Sequence, residues 1–517
     1  MRTLFSDRFF LGGMILFAVT IVGLQVYGGA YQAEFTGHPD EAAHFVSSLL
    51  VRDYIGQWPL PDAMPWATQY YIHYPKVAIG HWPPGYYVAL ALWWLVFPVS
   101  RTSALWLNIA MALMGMAMFY DLARRIRPGW PSIIAGLLLL WTPVVQEANA
   151  MVMADLPSLV AALAVFWTLT RLLEEPGELR LLGVVAALGV ALFVKGTGVG
   201  LLAAPVGALV LSGLWKQLPL GRTALILGGG VVSAAALYLW QYRGSFEAIR
   251  GWAGMNLRIP WRIDLLPLLA GVGILVLAVA GLYATYQRRQ PAAMAAASVL
   301  VSLTVASYFV RAMQEPRHFI AAIPALLLLS LAVYAWLEGR SPRLAVLAAL
   351  GGLSLFPFTV YTQRTEGFRE LAAQLRLPAR MLVSSRIGWR EGPWIAVVAL
   401  GEARPQSTIA RATKLLAESD WNGLRYKLRV NKGEEIERSL DGAALEIVVL
   451  DDFPGGTLER APHHLLLHGY LRASPSWRSC ARTENLEAYC RTLPPRFPRK
   501  PLRVDLRSRL GYEVEEH

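Results

Sequence analysis

The chain has 517 residues, 55% of them apolar and 16% charged, with 18 tryptophans, and its mean hydropathy is +0.40. That length would hold two or three soluble domains, but the composition excludes an ordinary soluble protein and fits an integral membrane protein with a soluble appendage. The formal charge of +12 does not imply a nucleic-acid binder. Many basic residues sit in short loops between apolar runs (Arg124, Arg125 and Arg127; Arg288 and Arg289; Arg340 and Arg343), which is a topology signal.

In chain order, MRTLFSDR leads into an apolar run at 9–30 that is longer than a signal-peptide core and lacks a small-x-small cleavage site. It reads as an uncleaved first span. Further apolar runs lie at 85–99, 103–122, 131–146, 156–173, 181–194, 198–214, 223–240, 265–286, 291–310, 318–337 and 343–361. A span needs about 20 apolar residues. Placing ARRIRPGW, WKQLPLGR, YQRRQ and EGRSPR in the cytoplasm puts 31–84, 146–155, 194–198, 241–264, 311–317 and everything after 361 outside. Run 103–122 then has to come inward to end at Arg124 and Arg125. Run 85–99, short and headed by Pro-Pro-Gly, therefore reads as an embedded or re-entrant helix. The expected fold is a polytopic α-helical membrane protein of about 11–13 transmembrane helices, eleven by this parity, with a C-terminal α/β periplasmic domain.

The domain boundary is expected at 361/362, where charged residues become frequent. Short β-type runs follow at 380–385, 394–400, 445–452 and 463–470, with a helical stretch at 408–418. The only cysteines, Cys480 and Cys490, lie in this tail. They are no metal cluster, and in an oxidising compartment they can pair, although spacing alone does not prove it.

Once the chain is sided, its polar residues fall into an outward-facing set. The first loop has TGHPDEAAHFV, with Asp40, Glu41 and His44, and AIGHWPPGYYV, with His81, Trp82 and Tyr86. Then come QEANAMVMADLPSLV with Asp155, FVKGTGVG with Lys195, and RAMQEPRHFIAAIP with Arg311, Arg317 and His318. Charge near hydrocarbon is costly and usually marks function. Singly, each has a plainer role: Asp155 as a helix cap, Lys195 snorkelling, Arg317 as a solvated charge beside Glu315, Asp40 and Glu41 as first-turn acids, and His81 and Trp82 as an interfacial anchor. Their order and common side are what single them out.

An acid pair in the first outer loop, a Pro-Pro-aromatic segment, Asp-x-Pro, Lys-Gly, and Pro-Arg before an apolar run together resemble the GT-C glycosyltransferases. The bacterial branch similar to the aminoarabinose transferase of lipid A and to protein O-mannosyltransferases is nearest. The resemblance covers roughly residues 1–360 and implies an inner-membrane, multi-pass enzyme with its C-terminal domain in the periplasm. It implies a polyprenyl-phosphate sugar donor, a glycan, lipid or protein acceptor, and work at the bilayer. By the same resemblance Asp40 is the catalytic acid with Glu41 adjacent, Asp155 is the second-loop acid, and Lys195, Arg317 and Arg311 meet the donor phosphate. His44, His81, Tyr86 and His318 are expected at the substrates. One departure matters: where the aminoarabinose enzyme has Glu-Lys before Pro-Pro, this chain has His81-Trp82. A divalent metal therefore has only Glu41 and His81 as candidate ligands, and no cofactor is assigned.

The chain has no Gly-rich phosphate-cradling loop and no cytoplasmic domain for a nucleotide sugar, which favours a lipid-linked donor. The reading is an inverting transfer with Asp40 as general base. The alternative is a polytopic transporter or lipid-linked sugar flippase, where intramembrane charges and broken helices also occur. Trp252 and Trp261, in the outer stretch 251–264, can stack on a sugar or anchor at the interface.

Overall fold

A computed structural model describes residues 7–78, 80, 82–217, 219–241, 269–309, 315–418, 426–454, 461–505 and 513–516. The chain divides into two compact units. One comprises 1–30, 80–86 and 104–362; the other comprises 31–79, 87–103 and 363–517. The second unit thus combines most of the first outer loop with the whole C-terminal tail.

The first unit is helical, and helices fall on every apolar run anticipated from the sequence. Among the described residues four helices are long and apolar enough to cross a bilayer: Arg8–Tyr27, Arg101–Ile126, Asp155–Glu174 and Pro291–Tyr308. A fifth span is made if Trp130–Trp141 and Pro143–Ala150, bent by 65°, count as one. Shorter apolar helices include Val272–Arg288, Ala322–Glu338 and Pro342–Ser354. The Arg8–Tyr27 helix starts where the Asp7 carboxylate accepts from the Phe9 N–H at 2.9 Å. It buries one stripe, Phe10, Gly13, Phe17, Ile21 and Gln25, and leaves Leu11, Ile15, Val19 and Val26 exposed. An apolar outer face is what a helix in lipid requires. The Ala322–Glu338 helix is buried almost all round and packs on Val272–Arg288. That approach is close enough that a Cβ on Gly281 would strike the Leu329 carbonyl.

One end of this unit is an ion-pair network. Asp121 accepts from Arg124 at 2.6 Å, Arg125 at 2.7 Å and Trp167 Nε1 at 3.0 Å. Arg125 also pairs with Glu174, Arg127 with Glu338, and Arg222 with Glu178. The ends of several helices meet there, so the basic loops placed in the cytoplasm by charge lie together. Asp155 stands at the opposite end of the Asp155–Glu174 helix, about 30 Å away at 1.5 Å per residue.

Among its described residues the second unit has nine strands: β1 (Arg380–Ser385), β2 (Thr408–Arg411), β3 (Ala417–Glu418), β4 (Lys427–Leu428), β5 (Ile447–Asp451), β6 (Trp477–Arg482), β7 (Leu486–Arg491), β8 (Arg503–Asp505) and β9 (Glu513–Glu515). Five form the main sheet in the order β2-β1-β5-β7-β6. β1 pairs in parallel with β2 and β5, while β7 runs antiparallel to β5 and β6. Cys480 and Cys490 form a disulfide across the β6–β7 hairpin.

Three tail expectations are corrected. Residues 394–400 lie in the helix Glu391–Gly401 and residues 463–470 in the helix Pro462–Ala473, while the expected helix at 408–418 is reduced to one helical turn, Ala412–Leu415, between β2 and β3. The 394–400 run is apolar and almost wholly buried, so it has no periodicity to separate strand from helix, whereas 463–470 buries His463, His464 and Leu467 and exposes Leu465 and Leu466, the spacing of a helix. Pro393 and Pro462 stand in the first turns of these helices, where proline is favoured or tolerated.

The first outer loop is bound into this unit by a buried carboxylate. Glu34 accepts from the backbone N–H groups of Glu366, Gly367, Phe368 and Arg369 at 2.8, 2.8, 3.2 and 2.7 Å. It thereby serves donors that the Phe368–Gln374 helix leaves open at its start.

Candidate active site

In the helical unit, the chain between Ala150 and Asp155 is not helical, although residues 151–154 are buried. The helix restarts at Asp155 with Ala154 as its cap residue, which places the acid in the first turn, where the helix dipole favours it. Lys195 ends the Glu178–Val194 helix in an extended conformation. The Gly-x-Gly that follows makes the next turn possible, since a Cβ on Gly198 would lie 2.7 Å from the Ala191 carbonyl. Gly85, after Pro83-Pro84, lies equally tightly against this stretch: its Cβ would fall 2.5 Å from the Phe193 oxygen.

These turns bring Lys195 Nζ to 2.5 Å from Asp155 Oδ1. Arg317 Nη1 lies 3.9 Å from Asp155 Oδ2, and its Nε donates to Glu315 Oε2 at 2.5 Å. His318 accepts the Glu315 N–H on Nδ1 at 3.2 Å, in the turn ahead of the Ala322–Glu338 helix. Burial, reinforced by the charges of Lys195 and Arg317, lowers its pKa to about 4, so it is neutral at pH 7. Asp155, Lys195, Arg317 and His318, remote in sequence, therefore form one cluster. Tyr86 is buried in the same unit. His81, Arg311, Trp252 and Trp261 lie outside the described residues.

In the second unit the two adjacent acids of the first loop have opposite surroundings. Asp40 is the cap residue of the Glu41–Ile55 helix; its side chain is 28% exposed, and its N–H donates to His38 Nδ1 at 3.1 Å. Glu41 is wholly buried. Its Oε1 accepts from Arg101 Nη2 at 2.8 Å and Nε at 3.2 Å, and its Oε2 accepts the Gly37 N–H at 3.3 Å. A carboxylate whose two oxygens are already engaged this way is a poor fit for a metal ligand. Among the described residues no group of three or more His, Cys, Asp or Glu side chains can hold a metal. His44 is buried, with Nδ1 3.0 Å from the Tyr87 hydroxyl.

Several buried polar residues near these clusters were not singled out by sequence: Arg101 and Glu34, and the amides Gln25 and Asn108, which donate to the Asn149 and Met151 carbonyls ahead of Asp155. Arg101 carried a signal, since a basic residue heading an apolar run at the end away from the Arg124–Arg125 pair calls for an acidic partner. The buried amides carried only the weaker signal of a polar residue within an apolar stripe.

Residues 81–240 match the family model of the dolichyl-phosphate-mannose-protein mannosyltransferases. A comparison with curated protein sequences finds no match. Among solved structures, ArnT from Cupriavidus metallidurans bound to undecaprenyl phosphate is similar, with a TM-score of 0.58 at 15% identity over 92% of this chain and 98% of that one. Its apo state gives 0.59 at 16% identity, over 93% and 98%. The archaeal oligosaccharyltransferase AglB from Archaeoglobus fulgidus, in complex with an inhibitory peptide and a dolichol-phosphate, gives 0.50 at 13% identity, over 85% and 69%. This chain is a multi-pass membrane protein with the GT-C glycosyltransferase fold.

Proposed function

We propose that this chain is an inner-membrane glycosyltransferase that moves a sugar from a polyprenyl-monophosphate donor to an acceptor hydroxyl on the periplasmic face, inverting the anomeric centre. One observation carries the reading: Lys195 and Arg317 converge on the buried Asp155 carboxylate, at the end of the helical unit away from the Asp121 network. A carboxylate that gathers two cations keeps them charged and aimed. A phosphate can then recruit them, and the guanidinium offers a planar fork for two of its oxygens. The undecaprenyl phosphate on ArnT and the dolichol-phosphate on AglB support a donor of this class.

Asp40 would accept the acceptor proton as the hydroxyl oxygen attacks the anomeric carbon. The carbon–oxygen bond to the phosphate breaks, and polyprenyl phosphate leaves with the electron pair. Lys195 and Arg317, with Arg311 as a third cation, would stabilise the charge that develops there. Asp155 would orient the acceptor, and His318, Tyr86, His81 and His44 are proposed around the substrates. The acceptor is a glycan, lipid or protein hydroxyl.

The test is to incubate the purified protein with a labelled polyprenyl-phosphate sugar. Release of polyprenyl phosphate with transfer of the label supports the enzyme. Intact labelled lipid crossing a liposome, with no release, replaces it with a flippase.

A further inference from the structure

The segment that delivers Asp155 is a break in the bundle. Trp130–Trp141 bends by 65° into Pro143–Ala150, and residues 151–154 then run unwound and buried. Such backbone inside a membrane protein leaves carbonyls without their helical donors, so other groups have to supply them. Two side-chain amides do so here. Gln25 Nε2 donates to the Asn149 carbonyl at 2.9 Å. Asn108 Nδ2 donates to the Met151 carbonyl at 2.8 Å and to that of Asn149 at 3.3 Å. Gln25 and Asn108 are 1% and 0% exposed. Gln25 is the only amide on a buried stripe otherwise made of Phe10, Gly13, Phe17 and Ile21, and a buried amide is costly unless it is hydrogen-bonded.

We infer that Gln25 and Asn108 are positioning residues: their amides hold the last turn of the Pro143–Ala150 helix and the unwound 151–154 segment after it, so that the Asp155 carboxylate stays on Lys195. The inference rests on the proposed transfer only in assigning a use to that pair. Neither residue touches the reacting groups; each acts through the backbone that ends at Asp155.

A pair of reporter thiols tests this, because the only native cysteines are joined to each other. Met153→Cys places a thiol in the unwound segment and Ala332→Cys places one in the Ala322–Glu338 helix, both at buried sites. Each is combined with Gln25→Leu or Asn108→Leu, and labelling by a charged maleimide is followed beside turnover of labelled polyprenyl-phosphate sugar. The expected result is labelling at 153 at least about tenfold faster, protection at 332 retained, and turnover lowered by about 10- to 100-fold, as misplacement of a working group produces. Unchanged labelling at 153, or faster labelling with unchanged turnover, overturns the inference. Loss of protection at both thiols in both variants also overturns it, by making the amides general supports of the fold. Should the parent protein show no turnover at all, the glycosyltransferase reading fails instead, and labelling alone decides whether the amides hold the segment.

Discussion

Arg101 Nη2 lies 2.8 Å from Glu41 Oε1, with both side chains at most 1% exposed. The same nitrogen donates to Gln363 Oε1 at 3.1 Å, and the guanidinium carbon lies 5.9 Å from the centre of the Phe35 ring. The residue next to Asp40 is thus pinned by a sealed pair that also reaches the start of the tail. Removing one partner strands a buried charge, which costs about 3–5 kcal/mol, whereas replacing both with apolar groups of similar volume is often close to neutral. Arg101→Ala and Glu41→Ala should each lower the unfolding midpoint markedly, and the double variant Glu41→Leu with Arg101→Met should recover most of the loss. Differential scanning fluorimetry on the tryptophans reads this. A midpoint untouched by either single change would show that the pair holds nothing.

Asp40 is predicted to behave in the opposite way. It is partly exposed, and its side chain makes no capping bond to its helix, so Asp40→Asn should leave the midpoint within a few degrees. Transfer should fall by about 10²–10⁴-fold, the usual worth of a positioned proton acceptor. Comparing turnover with the midpoint for Asp40→Asn and Glu41→Gln separates the two acids. Full turnover in Asp40→Asn would remove it from the mechanism.

The Lys195–Asp155 pair calls for a double-substitution cycle. Lys195→Met leaves the buried Asp155 without its 2.5 Å partner, and Asp155→Asn leaves the ammonium without its own. Combined, the two changes should be less destabilising than their sum by about 0.5–3 kcal/mol, the range for groups in direct contact. Turnover should not return with stability, because the proposed phosphate contact would still be missing. Arg317→Lys, which keeps the charge and loses the fork, should retain more activity than Arg317→Ala. Additive stability losses would show that the pair is uncoupled.

Helix positions were legible in the sequence because runs of apolar residues record them, and the arginine-rich loops gather at one end of the helical unit. Asp155, Lys195 and Arg317 could be grouped for the same reason. Their separation along the chain mattered less than the end of the helical unit at which each loop emerges. What stayed hidden depends on three-dimensional pairing. Nothing local in Glu34 announces that it accepts from four backbone N–H groups more than 300 residues away. Nor does the adjacency of Asp40 and Glu41 show that one is sealed and the other is not. Gln25 looks like an imperfection in an apolar stripe until the open carbonyl opposite it, in the last turn of the Pro143–Ala150 helix, is seen.

The sheet should also carry a pH dependence of its own. Asp452 follows the end of β5, where its Oδ1 lies 3.1 Å from His464 Nε2 and 3.0 Å from Arg386 Nε, and its Oδ2 lies 3.6 Å from His468 Nδ1. The bond from His464, aided by the charges of His464, His468 and Arg386, holds its pKa down at about 2. Burial lowers the pKa of His468. Both shifts are downward in the fold, so each contributes stability that is complete above the group's ordinary pKa and is lost as pH falls through the folded one. The first loss should begin below about pH 6.5 as His468 is driven to protonate, and the second between about pH 4 and pH 2 as Asp452 does. Hydrogen exchange of the β1 and β5 amides in the full chain, taken stepwise from neutral to acid pH, reads both. His468→Gln should flatten the upper step and Asp452→Asn the lower. An upper step that persists unchanged in His468→Gln would assign it to another group.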